Sequence, residues 1–192
     1  MERWIEKWAD HLIENGADPK NKDVIIYGIE GAVSEILANI AVFTIAFLIG
    51  KPLEMLIWQI FWLPLRVNIG GHHAKHHITC LVYSTALAVG CVLILPYILN
   101  WAWLLIVEIT ITIIVSFFFA PYVHPNRPAS DQHIQKIKKR GKLIAGIECF
   151  LIILFYFLLP IWVSYVAALG MFAATTLCII GFLDQALSGG KS

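Results

Sequence analysis

Charged residues are scarce in this chain of 192 residues, of which 13 are acidic and 14 are lysine or arginine, together 14% of the sequence. Soluble domains carry about 25% charged residues. A globule of this length has too small an interior to bury a sequence that is 59% hydrophobic. The composition therefore predicts that lipid surrounds most of the surface. It argues against a disordered chain, a nucleic-acid-binding module and an ordinary soluble enzyme.

Paired cysteines and several common catalytic signatures are also absent. The four cysteines have no CxxC spacing, which argues against a disulfide framework and a structural zinc site. No GxxxxGK[ST], HExxH or GxSxG motif occurs in the sequence. We therefore expect neither a resident metal nor any other cofactor. The first residues mix acids and bases ahead of any apolar run, unlike a secretory signal peptide.

Long apolar runs dominate what is present. Five of them have the roughly 17–25 residues that a membrane-spanning helix needs: Ala32–Ile49, Cys80–Leu99, Trp101–Tyr122, Leu143–Leu159 and Trp162–Leu183. A shorter run, Leu53–Leu65, contains Pro64. By length it fits either a short or tilted crossing or a re-entrant hairpin.

The distribution of lysine and arginine favours the crossing. If Leu53–Leu65 crosses, every base-rich segment falls on one side, which the positive-inside rule makes cytoplasmic, and Lys51 alone lies in the opposite connections. The sequence thus predicts an all-α integral membrane protein with about six transmembrane helices, the second short or tilted, and both termini in the cytoplasm. Residues 1–23 precede the spans and have the pattern of an amphipathic helix, with Trp4 and Trp8 on its apolar stripe.

One segment carries most of the reactive side chains. Residues 66–80 read RVNIGGHHAKHHITC and hold four of the seven histidines and a cysteine at a membrane boundary. A thiolate activated by a neighbouring imidazole is one interpretation. A zinc ion held by His73, His77 and Cys80 is a second, and a solvated histidine-rich loop without a role is a third. Residue types alone leave all three open.

The spacing in this segment resembles the motif of the accessory gene regulator B (AgrB) family, membrane cysteine endopeptidases that process quorum-sensing peptides in Gram-positive bacteria. Six residues separate Arg66 from His73 and six separate His73 from Cys80, with Gly70 and Gly71 just ahead of the histidine. Weaker landmarks agree in order along nearly the whole chain: Tyr27-Gly28-Ile29-Glu30, Phe119-Ala120-Pro121 and Asn126-Arg127-Pro128.

The resemblance implies roles for these positions. His73 corresponds to the catalytic histidine and Cys80 to the nucleophile, while Arg66 and Gly71 match supporting motif positions. Residues 1–192 would form a single polytopic peptidase domain, with 66–80 as its catalytic segment and 123–142 as a basic cytoplasmic loop. A homodimer is compatible with the family.

The resemblance also implies a substrate, an AgrD-like precursor peptide with an amphipathic leader, a signal segment and an acidic tail. The enzyme would remove the tail through a thioester on the cysteine and close the signal segment into a thiolactone or lactone. The basic residues Lys136, Lys138, Lys139 and Arg140 could attract the acidic tail. They could equally set the topology and bind lipid headgroups.

Helix geometry creates a tension within the motif. On a straight helix, His73 and Cys80 would be separated by about 10.5 Å of rise, too far for a hydrogen bond. His76 and His77, four and three residues before Cys80, would reach its thiol more easily. Either one of them is the base or the chain bends between Gly70 and Thr79, and following the resemblance we expect the bend. The rival functions are a small polytopic peptide transporter, a membrane metalloprotein using the histidine cluster, and a non-catalytic partner of a sensor kinase.

Overall fold

The computed structural model describes residues 2–16, 18–19, 22–70, 77–122 and 131–187. These ranges contain helices and no strand. The helices are α1 (Glu2–Glu14), α2 (Lys22–Leu48), α3 (Pro52–Ile69), α4 (His77–Ile98), α5 (Ala102–Ile114, continued by a π-helical turn Val115–Phe119), α6 (Asp131–Leu158) and α7 (Ile161–Leu187). The predicted all-α class is confirmed.

Several of these helices have the length and composition of membrane spans. Three qualify in full, Ala102–Phe119, Ile134–Leu158 and Ile161–Leu187, and two shorter apolar stretches are Ile36–Leu48 and Val82–Ile98. Large apolar side chains point outward along them. Those at least 70% exposed include Phe47, Leu48, Tyr97, Phe118 and Phe157. A surface of this kind is stable only in lipid, as expected for an all-α membrane protein.

Two helices begin earlier than the apolar runs that predicted them. α2 begins at Lys22 rather than at Ala32, and α6 begins at Asp131 rather than at Leu143. Backbone hydrogen bonding defines a helix, whereas hydropathy detects only the part suited to lipid. The basic stretch expected within a loop over 123–142 is consequently helical from 131 onward, and residues 123–130 lie outside the described residues.

The short apolar run lies within one continuous helix, α3, which excludes the re-entrant hairpin. Pro64 leaves one turn without a main-chain hydrogen bond, and its own carbonyl accepts a hydrogen bond of 2.8 Å from Asn68 Nδ2. One face of α3 is almost fully buried, with Met55, Trp58, Phe61, Trp62, Leu65 and Ile69 on it. α3 therefore packs this face against the other helices of the bundle.

α3 packs most extensively against α7. The backbones approach closely at Gly170, where a Cβ would lie 2.6 Å from the carbonyl oxygen of Trp58. Small residues surround this point on α7, since Ala167, Ala168, Ala173 and Ala174 are all buried. Apolar side chains gain little by leaving lipid, so close backbone packing of this kind is what holds transmembrane helices together.

Contacts between helices show which ends lie together. Gly170 meets Trp58 and Cys178 meets Ile69, so α7 runs parallel to α3. α5 ends where Tyr122 binds Ile69, and α6 begins on the same side because its Gly141 packs against Asn68. We call this side, with the end of α3 and the starts of α4 and α6, the Gly70 end, and the opposite side the far end.

The connections place the remaining helices. α2 and α3 are joined by a tight turn in which Lys51 N–H donates to the Ala46 carbonyl at 2.8 Å, so this turn lies at the far end. α4 and α5 are joined at the same end by residues 99–101. Since α4 has 22 residues, about 33 Å of helix, its first turn lies at the Gly70 end. Successive helices from α2 to α7 therefore alternate in direction.

α1 is amphipathic as predicted, but it ends at Glu14 rather than continuing to residue 23. It packs against α2, and it buries Ile5 and Ala9 while Trp4 and Trp8 are about half exposed. Lys22 Nζ binds Asp10 Oδ1 at 2.6 Å, which ties α1 to the start of α2. The hydrogen bond that the Lys22 ammonium donates to the Asp10 carboxylate raises the pKa of Lys22.

A glycine exchange tests the α3–α7 contact. Gly170→Ala should destabilise the bundle by about 1–3 kcal/mol, because the new Cβ must push the α3 backbone away. Gly146→Ala is the matched control, since a Cβ there meets nothing within 4 Å. Thermal unfolding in detergent measures both, and an equal melting temperature for the two variants would contradict the contact.

Candidate functional site

The end of α3 is held by two donors on one carbonyl. The Ile69 oxygen accepts a hydrogen bond of 2.9 Å from the main-chain N–H of Tyr122 and one of 3.4 Å from Cys178 Sγ. Ile69 and Cys178 are fully buried. The last carbonyls of a helix lack partners within the helix, so these donors fix the point at which the chain leaves α3 toward 71–76.

Gly70 ends α3 and is required there for two reasons. Its φ of +71° lies in the left-handed region, which residues other than glycine adopt only at a cost in free energy. Its α-carbon also lies against the main chain of Tyr122, and a Cβ at this position would collide with the Tyr122 carbonyl oxygen. The helix closes with a 3.2 Å hydrogen bond from Gly70 N–H to the Arg66 carbonyl.

Two further contacts stabilise the same corner. The Tyr122 ring packs edge-to-face on Phe182 of α7, with ring centroids 5.2 Å apart. On α6, Gly141 is buried, and a Cβ there would lie 3.3 Å from the Asn68 carbonyl oxygen. Residues 68–70 therefore contact three elements: α6, α7 and the segment after α5.

The contact at Gly141 positions the basic stretch. Lys136, Lys138, Lys139 and Arg140 precede it on α6, and all four are exposed. Lys142 instead lies with its Nζ 5.4 Å from the ring centroid of Phe117, a cation–π contact. The four predicted tail-binding residues thus lie beside the end of α3, with their charges in solvent.

The charge distribution separates the two ends of the bundle. Among the described residues, Lys7, Lys22, Arg66 and the bases of α6 lie toward the Gly70 end, whereas Lys51 lies at the far end, where it binds Glu54 Oε1 at 2.8 Å. The prediction of six crossings required basic residues to be concentrated at one end in this way.

Two of the predicted site residues, Arg66 and Cys80, belong to helices that the structure describes. Arg66 is half-buried on the last turn of α3. Cys80 belongs to the first turn of α4, three residues after His77. Gly71 and His73 lie outside the described residues, as does the side chain of Cys80. The expected bend and the role of His73 therefore stay predictions.

The zinc interpretation also stays a prediction. Of its three candidate ligands, His77 and Cys80 lie one turn apart on α4, while His73 belongs to the undescribed segment. Within the described ranges, no cluster of three or more histidine, cysteine, aspartate or glutamate residues could hold a metal ion.

Sequence reasoning missed three residues of this corner: Tyr122, Gly141 and Cys178. Tyr122 acts through its main chain, which no residue pattern reveals. Gly141 lies within a run of basic residues, a pattern that indicates a solvent-exposed surface. Cys178 lies 109 residues from its acceptor in an apolar span, where a cysteine usually indicates ordinary packing.

Paired glycine variants test the corner at Gly70. Gly70→Ala should cost more stability than Gly50→Ala, although both glycines have φ near +70°. Each variant has a backbone penalty of about 1–2 kcal/mol, but only the Cβ at position 70 collides with another segment, since nothing lies within 4 Å at Gly50. Unfolding midpoints in detergent provide the measurement, and equal losses would contradict the tight contact with Tyr122.

Comparison with known proteins finds matches that cover most of the chain. The family model described as Accessory gene regulator B matches residues 5–182. An AgrB-like protein of Clostridium perfringens is 28% identical over 151 residues, which cover 72% of this chain and 71% of that protein. No solved structure matches the chain. Because the family model spans nearly the whole sequence, from α1 to the last turns of α7, the chain belongs to the accessory gene regulator B family.

Proposed function

We propose that this membrane protein is a cysteine endopeptidase that cleaves an AgrD-like precursor peptide and cyclises its signal segment. Family membership supports a role in the accessory gene regulator system. The observation that carries the enzymatic part is the position of Cys80, in the first turn of α4 at the Gly70 end. A helix N-terminus stabilises a thiolate through its free N–H groups and dipole.

The proposed first half-reaction is acyl transfer to Cys80. The imidazole of His73 takes the thiol proton as general base, and the Cys80 thiolate attacks the peptide carbonyl that precedes the acidic tail. The C–N bond breaks, and the protonated His73 gives its proton to the leaving amine. The tail departs with a free amino group, and the signal segment remains on Cys80 as a thioester.

The second half-reaction closes the ring. A thiol or hydroxyl within the signal segment attacks the thioester carbonyl, and its proton passes to His73. The ring forms as a thiolactone or lactone, and Cys80 leaves as a thiolate. Exchange of one thioester for another is nearly energy-neutral, so closure to a thiolactone needs no nucleotide. Water competes for the same thioester, and a site among membrane helices would limit its access.

Supporting roles follow from the positions around the corner. Arg66 is suited to hold a substrate carboxylate or to stabilise the oxyanion, since it lies on the last turn of α3. Gly71 is the second residue of the glycine pair within the catalytic segment 66–80. The four exposed bases of α6 would receive the acidic tail, because the contact of Gly141 with Asn68 holds them beside the end of α3.

We further propose that six helices cross the cell membrane, with both termini and residues 66–80 in the cytoplasm. The alternating directions of α2 to α7 and the grouping of basic residues at the Gly70 end support this topology. Residues 1–192 would then act as one peptidase domain, with α1 on the inner membrane surface.

Substitutions in the catalytic segment test the proposed chemistry. Cys80→Ala should abolish processing of a co-expressed precursor peptide, and His73→Ala should slow it about 10²–10⁴-fold, the usual contribution of a general base. His77→Ala, a histidine on the same segment, is the matched control and should retain activity. Mass spectrometry should detect an acyl adduct on Cys80, which disappears in Cys80→Ala.

Reagents separate this proposal from its rivals. Iodoacetamide should stop processing and a chelator should not, whereas a metalloprotein would show the reverse. A transporter would tolerate Cys80→Ala, and retained processing in that variant would overturn the endopeptidase. A membrane-impermeant maleimide should label Cys80 in inverted vesicles but not in intact cells. Labelling in intact cells would overturn the cytoplasmic orientation.

Charge neutralisation tests the docking of the tail. Replacing Lys136, Lys138, Lys139 and Arg140 with glutamine should raise KM roughly tenfold and leave kcat unchanged, because four exposed ion pairs of about 0.2–1 kcal/mol each are lost. The effect should shrink in high salt. Lys51→Gln removes a positive charge at the far end and serves as the control. An unchanged KM in the quadruple variant would leave these residues with a lipid or topological role only.

A further inference from the structure

Buried polar side chains gather where α5 meets α7. Of the residues that the structure describes, the polar or charged ones that are buried are Glu108, Thr112, Ser116, Glu148, Ser164 and Thr175. All except Glu148 lie on α5, its π-helical turn or α7, two helices that pack against each other. A hydrogen bond of 3.1 Å joins Thr175 Oγ1 to Thr112 Oγ1 across this contact. We call the five residues on α5 and α7 the polar row.

The polar row runs along the two helices toward the Gly70 end. On α5, Glu108, Thr112 and Ser116 follow one another at intervals of four residues, which places them on nearly one face. On α7, Ser164 and Thr175 are eleven residues apart, about three turns, and so share a face. Both helices run from the far end to the Gly70 end. Glu108 therefore lies about one turn before the pair formed by Thr112 and Thr175, and Ser116 lies about one turn after it.

Glu108 is the charged member of the polar row. It is 7% exposed, and its Oε2 atom has no hydrogen-bond partner among the residues that the structure describes. α5 and α7 contain no lysine, arginine or histidine. On α6, Lys142 Nζ lies over the Phe117 ring, more than two turns from Glu108 toward the Gly70 end. The Glu108 carboxyl thus lies inside the bundle without a basic residue on its own helix or on α7.

The other titratable groups on the helices around Glu108 bring no positive charge. α5 packs against α6 and α7. Beyond Lys142, the titratable residues of these two helices are acids, thiols and phenols: Glu148, Cys149, Tyr156, Tyr165, Cys178 and Asp184. An ionised carboxylate inside a membrane is costly in free energy unless a positive charge neutralises it. With no basic partner on this part of the helices, a proton is the simplest neutralising charge for Glu108.

We propose that Glu108 is a proton-binding site inside the membrane, and that its proton exchanges with the Gly70 end along the polar row. The hydroxyl groups of Thr112, Thr175 and Ser116 can each accept one hydrogen bond while donating another. Successive levels of the row are one turn apart, about 5.4 Å of rise, a gap that a single bridging water spans. Each hydroxyl that receives a proton releases its own to the next acceptor, so one proton moves and no bond between heavy atoms changes. The site lies outside the proposed peptidase chemistry and does not depend on it.

Infrared spectroscopy of the full-length protein in phospholipid vesicles tests the bound proton. A protonated carboxyl has a carbonyl stretching band that an ionised carboxylate lacks. Glu108→Gln should remove one such band, and Glu108→Asp, which keeps an acid, should shift it. Melting temperatures show that each variant is folded.

Glu148→Gln is the matched control, because Glu148 is 6% exposed and its Oε2 also lacks a partner among the described residues, but it lies on α6 outside the polar row. It should leave the Glu108 band in place. If a folded Glu108 variant leaves the carboxyl bands unchanged, the proton site is wrong. A Glu108 band that appears only after sodium is withdrawn would likewise overturn it, because sodium would then be the bound cation.

Deuterium exchange tests the route. When the vesicles are transferred to D2O, the Glu108 band shifts as deuterium replaces the proton. Thr175→Val and Ser116→Ala each remove a hydroxyl between Glu108 and the Gly70 end. Each should slow the exchange roughly tenfold, the change in rate that corresponds to about one hydrogen bond.

Two neighbouring hydroxyls on α7 serve as controls for the route, and their removal should leave the exchange rate unchanged. Thr176 bonds to a main-chain carbonyl one turn away on its own helix, so Thr176→Val removes a hydroxyl outside the row. Ser164→Ala removes the member of the row on the far-end side of Glu108. Equal rates for Thr175→Val and Thr176→Val would overturn the route. Slowing by Ser164→Ala alone would overturn its opening at the Gly70 end.

Discussion

Close contact between the backbones of α3 and α7 is the constraint on which the rest of the structure depends. In a membrane, apolar side chains gain little free energy by moving from lipid into the protein. Helices therefore associate through complementary shape and short-range contacts. Gly170 and its alanine neighbours supply a surface onto which the α3 backbone fits at Trp58. Larger residues on α3 then fill the remaining volume, including the stacked rings of Trp58 and Trp62, 4.8 Å apart.

The parallel course of these two helices carries the contact to the Gly70 end. Eight residues beyond Gly170, α7 presents Cys178 at the level of Ile69. The thiol, the Tyr122 main chain and the Gly141 backbone then meet the last turn of α3 from different sides. Packing in the bundle thus reaches the last turn of α3, within the motif segment 66–80.

Much of the fold was readable from hydropathy and charge. The five long runs correspond to α2, α4, α5, α6 and α7, and the short run corresponds to α3. Helix starts were less predictable: α2 and α6 extend into polar sequence, because a helix continues for as long as its backbone bonds form. The amphipathic pattern of 1–23 identified α1, but it did not reveal that Ile5 and Ala9 pack inside the protein while Trp4 and Trp8 stay outside.

The sequence by itself determined that this chain is a helical membrane protein with its basic residues on one side and its family motif in 66–80, since these properties follow from local composition and spacing. Only the tertiary structure decided which residues hold the end of α3. Tyr122 contributes a main-chain N–H, Gly141 contributes the absence of a side chain, and Cys178 contributes a thiol from 109 residues away. None of these has a local signature, because each acts through a neighbour that the chain reaches only after the helices have packed.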